Sequence, residues 1–88
     1  MLTSKQKRTI REQINEDRMI FATDGTVTFK RSYFYRHGYS PEIFADRLVS
    51  ELKSIGFNAA PVELKDAYAN WPRTSYFVAR LRLTPIAA

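Results

Sequence analysis

The dipeptide Asp24-Gly25 most constrains the fold, because it stands between two runs of residues that favour β-strands. Asp-Gly in this setting is typical of a tight hairpin with a two-residue loop. Such a loop predicts that Ile20 pairs with Phe29. In this register one face carries the core residues Ile20, Ala22, Val27 and Phe29, and the other carries Phe21, Thr28 and Lys30.

Two helices are predicted from their start signals. Thr3 and Gln6 match a capping box, which predicts a helix from Ser4 to about Asn15. Its apolar stripe is narrow, so this helix either packs loosely on the sheet or docks on a partner. Ser40-Pro41-Glu42 is typical of a helix start, and Gly56 fits the left-handed position after a helix end. The second helix has a broad apolar stripe that predicts packing on a sheet: Ile43, Phe44, Leu48, Val49, Leu52 and Ile55.

Two more strands complete the fold. The alternation of apolar and polar residues around Val62 and Leu64 predicts a strand. Because proline lacks an amide donor, Pro61 either makes it an edge strand or delays its start. A second alternation predicts the last strand, from Ser75 to Leu83. The predicted fold class is α+β with two layers: a four-stranded, mostly antiparallel sheet, element order α-β-β-α-β-β, and the second helix on one face. Residues 1–88 form a single domain, with the N-terminal helix in 1–17 and a flexible tail at 84–88.

Composition favours a polyanionic partner. The formal net charge is +5 and the pI is about 9.8, which suits nucleic acid, a nucleic-acid-handling complex or an acidic protein surface. The chain has no cysteine, which excludes disulfides and thiol chemistry and fits a reducing compartment. No run is apolar enough to span a bilayer or to serve as a signal peptide. We therefore expect a cytoplasmic protein without a membrane partner.

Cations alternate with aromatic residues in the stretch from Thr26 to His37 and again in the last strand. Open sheets that bind single strands use such residues, because cations contact phosphates and aromatic rings stack on bases. The loop around Trp71 has the composition of a binding hot spot. The predicted binding residues are Lys30, Arg31, Phe34, Arg36, His37, Trp71, Arg73, Tyr76, Arg80 and Arg82, with a secondary basic patch at Lys5, Lys7, Arg8 and Arg11.

Each of these groups has a purely structural alternative. In the first, the N-terminal helix covers part of the sheet face, and the aromatic residues of that face form a second small core. In the others, His37 lies in a turn, Trp71 fills the core, and the basic patch is an ordinary solvated helix face.

Catalysis is not predicted. The carboxylates are scattered along the chain, the one histidine lacks partners for a metal site or a catalytic triad, and no glycine-rich phosphate loop is present. We expect no enzyme activity, no catalytic residues, no cofactor and no metal.

The run VTFKRSYFYRHG, from Val27 to Gly38, precedes a helix and the pattern Trp71-Pro72-x-x-Ser75-Tyr76-Phe77. Together these features resemble a class of small phage and prophage accessory proteins of unassigned function, and the aromatic-Arg-His-Gly strand end is the most specific part. The N-terminal helix lies outside the resemblance. It implies a phage-encoded accessory protein in the host cytoplasm, one that blocks a host defence system such as CRISPR, and it supplies no catalytic residues.

Three functions are therefore predicted as alternatives. The first is a non-enzymatic accessory or inhibitor protein that binds a nucleic-acid-handling complex. The second is a nucleic-acid-binding domain that uses the basic and aromatic sheet face. The third is a self-associating structural protein, a homo-oligomer in which an edge strand or the first helix pairs between copies.

Overall fold

A computed structural model describes residues 2–16, 18–33, 40–69 and 74–86. Its elements are α1 (Ser4–Gln13), β1 (Arg18–Phe21), β2 (Thr26–Tyr33), α2 (Pro41–Ser54), β3 (Phe57–Ala69) and β4 (Thr74–Pro85). The four strands form one antiparallel sheet in the order β1-β2-β4-β3. The predicted α+β fold, its element order and the edge position of β3 are confirmed. Within the described part of the chain, no helix is long and apolar enough to span a membrane.

The capping signals act as predicted. The Thr3 hydroxyl accepts from the Gln6 amide at 3.1 Å, and the Gln6 side chain accepts from the Thr3 amide at 2.8 Å. The Ser40 hydroxyl accepts from the Ile43 amide at 3.2 Å. Gly56 has a φ of +98°, which L side chains rarely adopt, and it ends α2.

The predicted hairpin register is wrong by one residue. The Ala22 amide donates to the Thr26 carbonyl at 2.9 Å, so the loop has three residues, Thr23 to Gly25. A two-residue loop of the expected type needs positive φ at Asp24 as well, but only Gly25 has it, at +86°. Phe21 therefore pairs with Val27, and Ile20 pairs with Thr28.

The register change exchanges the faces of β1. Met19 and Phe21 pack against the core, whereas Ile20 is 43% exposed and Ala22 is also exposed, contrary to prediction. Because side chains alternate along a strand, one residue of slip moves every side chain of β1 to the opposite face.

Both helices pack on the same face of the sheet. The core joins residues of α2, β2 and β4, including Phe44, Phe29 and Leu81, to Ile10 of α1 and to Ile14, and each of these five is at most 2% exposed. The alternative in which α1 covers the opposite face is therefore wrong. The N-terminal helix docks on its own sheet, although its stripe is as narrow as the sequence indicates.

The strands are longer than predicted at their ends. β4 continues to Pro85, with Thr84 opposite Asn58 and Pro85 opposite Phe57, so residues 84–85 belong to the sheet rather than to a flexible tail. The Ile86 amide also donates to the Gly56 carbonyl at 2.9 Å. Residues 87–88 lie outside the described part of the chain.

A pair of isoleucine variants tests this packing. Ile10→Ala removes a fully buried side chain of α1 and should lower the free energy of unfolding by about 2–5 kcal/mol. Ile20→Ala should change it by no more than about 0.5 kcal/mol, because Ile20 is on the exposed face. Chemical denaturation of both variants provides the measurement. A large loss for Ile20→Ala would instead favour the two-residue loop.

Candidate functional site

The face of the sheet opposite the helices forms a shallow groove of about 320 Å³. We call this side of the sheet the open face. Its lining combines apolar or aromatic side chains with three cations, which come from three adjacent strands. The apolar and aromatic residues are Ile20, Ala67, Tyr76 and Val78, the cations are Lys30, Lys65 and Arg80, and Thr28 and Glu63 complete the lining.

Two contacts join charged side chains of the groove to their neighbours. The Lys30 ammonium lies over the Tyr76 ring, 5.5 Å from its centroid, at a distance that allows a cation–π interaction. The Lys65 ammonium lies 3.0 Å from a Glu63 carboxylate oxygen, and both side chains are about half exposed. Such an exposed ion pair contributes little to stability and can change partners.

The hairpin loop holds two arginines at one end of the open face. Asp24 Oδ1 accepts from the Thr26 amide at 3.0 Å and from its hydroxyl at 2.6 Å. Asp24 Oδ2 accepts from Arg80 Nη2 at 3.1 Å, and the Asp24 carbonyl accepts from Arg82 Nη1 at 2.9 Å. The hydrogen bonds from Thr26, with a smaller effect of the Arg80 charge, lower the pKa of Asp24 from 3.8 to about 2.

The structure brings four of the predicted binding residues together. Lys30, Tyr76, Arg80 and Arg82 lie on the open face, since Thr28 pairs with Arg80 and Ser32 with Tyr76. Predicted binding residues outside the described part of the chain are Phe34, Arg36, His37, Trp71 and Arg73.

Arg31 lies on the helix side of the sheet instead. Its guanidinium makes two hydrogen bonds of 2.8 Å to the Glu16 carboxylate, and it lies 5.7 Å from the centroid of the Phe44 ring. The Glu16 side chain is only 2% exposed and the Arg31 side chain is 29% exposed, so the ion pair is partly buried. Arg31 therefore joins the segment that follows α1 to the core and is separated from the open face by the sheet.

The secondary basic patch belongs to α1 and is also separate from the open face. Arg11 lies 4.7 Å from the centroid of the Phe21 ring, on the helix side of β1. Lys5 and Arg8 are exposed and Lys7 is half-buried. These cations cannot contact the same short ligand as the groove.

Sequence reasoning missed Arg18 and Lys65. Arg18 pairs with Lys30 across the β1–β2 ladder and shares its face, but only the three-residue loop shows this. Lys65 reaches the open face because the pairing of β3 with β4 shifts between Pro61 and Glu63. Pro61 in an edge strand was the available signal, because proline accompanies such bulges.

Comparisons with protein-family models, with curated proteins and with solved structures give no match to this chain. Among the described residues, no three His, Cys, Asp or Glu side chains are grouped so that they could hold a metal ion. The open face is thus the feature from which a function can be argued.

The hydrogen bonds that Asp24 accepts from Thr26 and Arg80 predict that the stability of the protein depends on pH in the acid range. Because folding lowers the pKa of Asp24 from 3.8 to about 2, its charged form stabilises the protein above about pH 4. That contribution decreases as the pH falls towards 2. We expect Asp24→Asn to have a lower Tm than the wild type near neutral pH, with the difference shrinking in acid. Thermal unfolding of both proteins across this range measures it, and a pH-independent difference would contradict the role of the charge.

Proposed function

We propose that this chain is a non-catalytic binding protein that holds single-stranded nucleic acid on its open face. The observation that carries the proposal is the placement of both helices on one side, so that no described helix covers the basic and partly aromatic surface on the other side of the sheet. A cytoplasmic location, predicted from the composition, is part of this proposal.

The charge of the open face supports a polyanionic ligand. Five cations lie on it or at its end, against one carboxylate within the strands, Glu63, and one in the hairpin loop, Asp24. The five cations are Arg18, Lys30, Lys65, Arg80 and Arg82. Clustered cations attract phosphates and release condensed counterions, which makes binding dependent on salt.

The apolar and aromatic part of the groove lining favours a single strand over a duplex. Tyr76 is half-buried with its ring beside Lys30, and Ile20 and Val78 extend the apolar surface. A duplex keeps its bases stacked inside, whereas a single strand can place a base against an aromatic ring and its phosphates against the surrounding cations.

Lys30 provides the first test. Lys30→Gln should weaken binding to a labelled single-stranded oligonucleotide and lower the slope of log K against log salt by about 0.7, the value for one lost phosphate contact. Lys53→Gln makes the same change at an exposed position of α2, away from the groove, and should leave the affinity and the salt slope unchanged. Fluorescence anisotropy at several salt concentrations measures them.

Absence of binding at low salt would overturn the proposal. The remaining hypothesis would then be the phage-type accessory protein, in which the same basic face contacts an acidic surface of a nucleic-acid-handling complex. Equal effects of Lys30→Gln and Lys53→Gln would instead indicate binding by overall charge, without a role for the groove.

Tyr76 provides the second test. Tyr76→Leu keeps an apolar side chain in the groove but removes the ring, and a stacked base contributes about 1–3 kcal/mol, or roughly 5- to 150-fold in affinity. Tyr68→Leu is the matched control, because Tyr68 is 58% exposed on β3 and is not part of the groove. Unchanged affinity in folded Tyr76→Leu would exclude stacking on this ring.

A further inference from the structure

The outer edge of β3 is long and unpaired. β3 ends the strand order and has 13 residues, whereas β1, at the other edge, has four. In the described part of the chain no strand pairs with this outer edge, and most β3 side chains are exposed. An exposed edge of this length presents unpaired amide and carbonyl groups that can pair with another strand.

The two halves of β3 differ as pairing surfaces. Pro61 and the register shift that follows it interrupt the first half, and such features protect an edge against pairing. From Glu63 to Ala69 the pairing with β4 is regular. Val62, at 47% exposure, and Tyr68, at 58%, leave apolar surface along the same edge. The second half of β3 therefore lacks the protection of the first.

The charges of this segment select one register for pairing with an identical strand. Glu63 and Lys65 both line the groove and so lie on the same face. A two-fold axis perpendicular to the sheet, centred on Leu64, places Glu63 opposite Lys65 of the second copy and Lys65 opposite its Glu63. Centring on Glu63, Lys65 or Asp66 places an identical charge opposite itself, and centring on Ala67 pairs no opposite charges.

We infer that β3 pairs antiparallel with β3 of a second copy of this chain, in the register centred on Leu64. The two sheets then form one continuous eight-stranded sheet, with Pro61 limiting the ladder at each end. The short ladder predicts a weak dimer, because small interfaces give weak association. The axis keeps the two open faces on the same side, so the dimer has one joined basic surface. This inference does not depend on the proposed nucleic-acid binding.

Charge exchange at the two positions tests the register. Glu63→Lys and Lys65→Glu each place like charges opposite one another twice in the dimer, and we expect about tenfold weaker dimerisation for each. The double variant Glu63→Lys/Lys65→Glu restores opposite charges and should dimerise like the wild type. An equimolar mixture of the two single variants should form a heterodimer. Sedimentation velocity from micromolar to near-millimolar concentration, without nucleic acid, measures the masses.

The control variant is Glu12→Lys, which makes the same charge change on an exposed position of α1. Since α1 contacts β1 through Arg11, this position lies towards the other edge of the sheet and should not affect dimerisation. Circular dichroism confirms that each variant is folded. A strictly monomeric wild type would overturn the inference, and so would a Glu63→Lys variant that dimerises normally or a folded double variant that stays monomeric.

Discussion

The ion pair between Arg31 and Glu16 is the interaction on which the open face depends. The Glu16 carboxylate is almost fully buried, and a buried charge without a partner costs about 3–5 kcal/mol. The chain that follows α1 must therefore pass the helix side of β2, where Arg31 makes its two hydrogen bonds beside the Phe44 ring. This requirement places α1 on the same side of the sheet as α2. Among the described residues, the helices then cover one face of the four strands and leave the other face without a helix. Because the ion pair adds to the attachment, a narrow apolar stripe on α1 is enough to dock this helix.

The parts of the fold that depend on short-range chemistry could be predicted from the sequence. The capping box at Thr3, the start of α2 at Ser40 and its end at Gly56 each involve residues within a few positions of one another. The hairpin register could not, because Asp-Gly suits both two- and three-residue loops. Asp24 is bound by Thr26 beside it and by Arg80, a residue brought near only by the pairing of β2 with β4. The contact of Asp24 with Thr26 can therefore be predicted from neighbouring residues, whereas its contact with Arg80 requires the strand pairing.

The candidate site shows the same division. Alternation along β2 and β4 predicts that Lys30 shares a face with Tyr76, Arg80 and Arg82, and the structure agrees. Every second residue of a strand lies on the same face, so one residue of known position fixes the face of the others. Arg31 follows Lys30 directly, so it lies on the opposite face of β2, where it contacts Glu16 and the Phe44 ring. Arg18 and Lys65 come from strands whose faces depend on the loop length and on a bulge. A site that combines several strands is predictable only as far as their registers are.

The arginines and lysines of the open face have different roles in its chemistry. Arg80 and Arg82 both donate to Asp24 in the hairpin loop, Arg80 to the carboxylate, which compensates part of its charge, and Arg82 to the backbone carbonyl. Lys30 and Lys65 have flexible stems and exchangeable contacts. From Tyr76 to Arg82 the open face runs for about 20 Å along β4, at about 3.3 Å per residue. A chain of phosphates along β4 would therefore meet lysines beside the aromatic ring and loop-bound arginines at the hairpin, so the two ends of the surface differ in their chemistry.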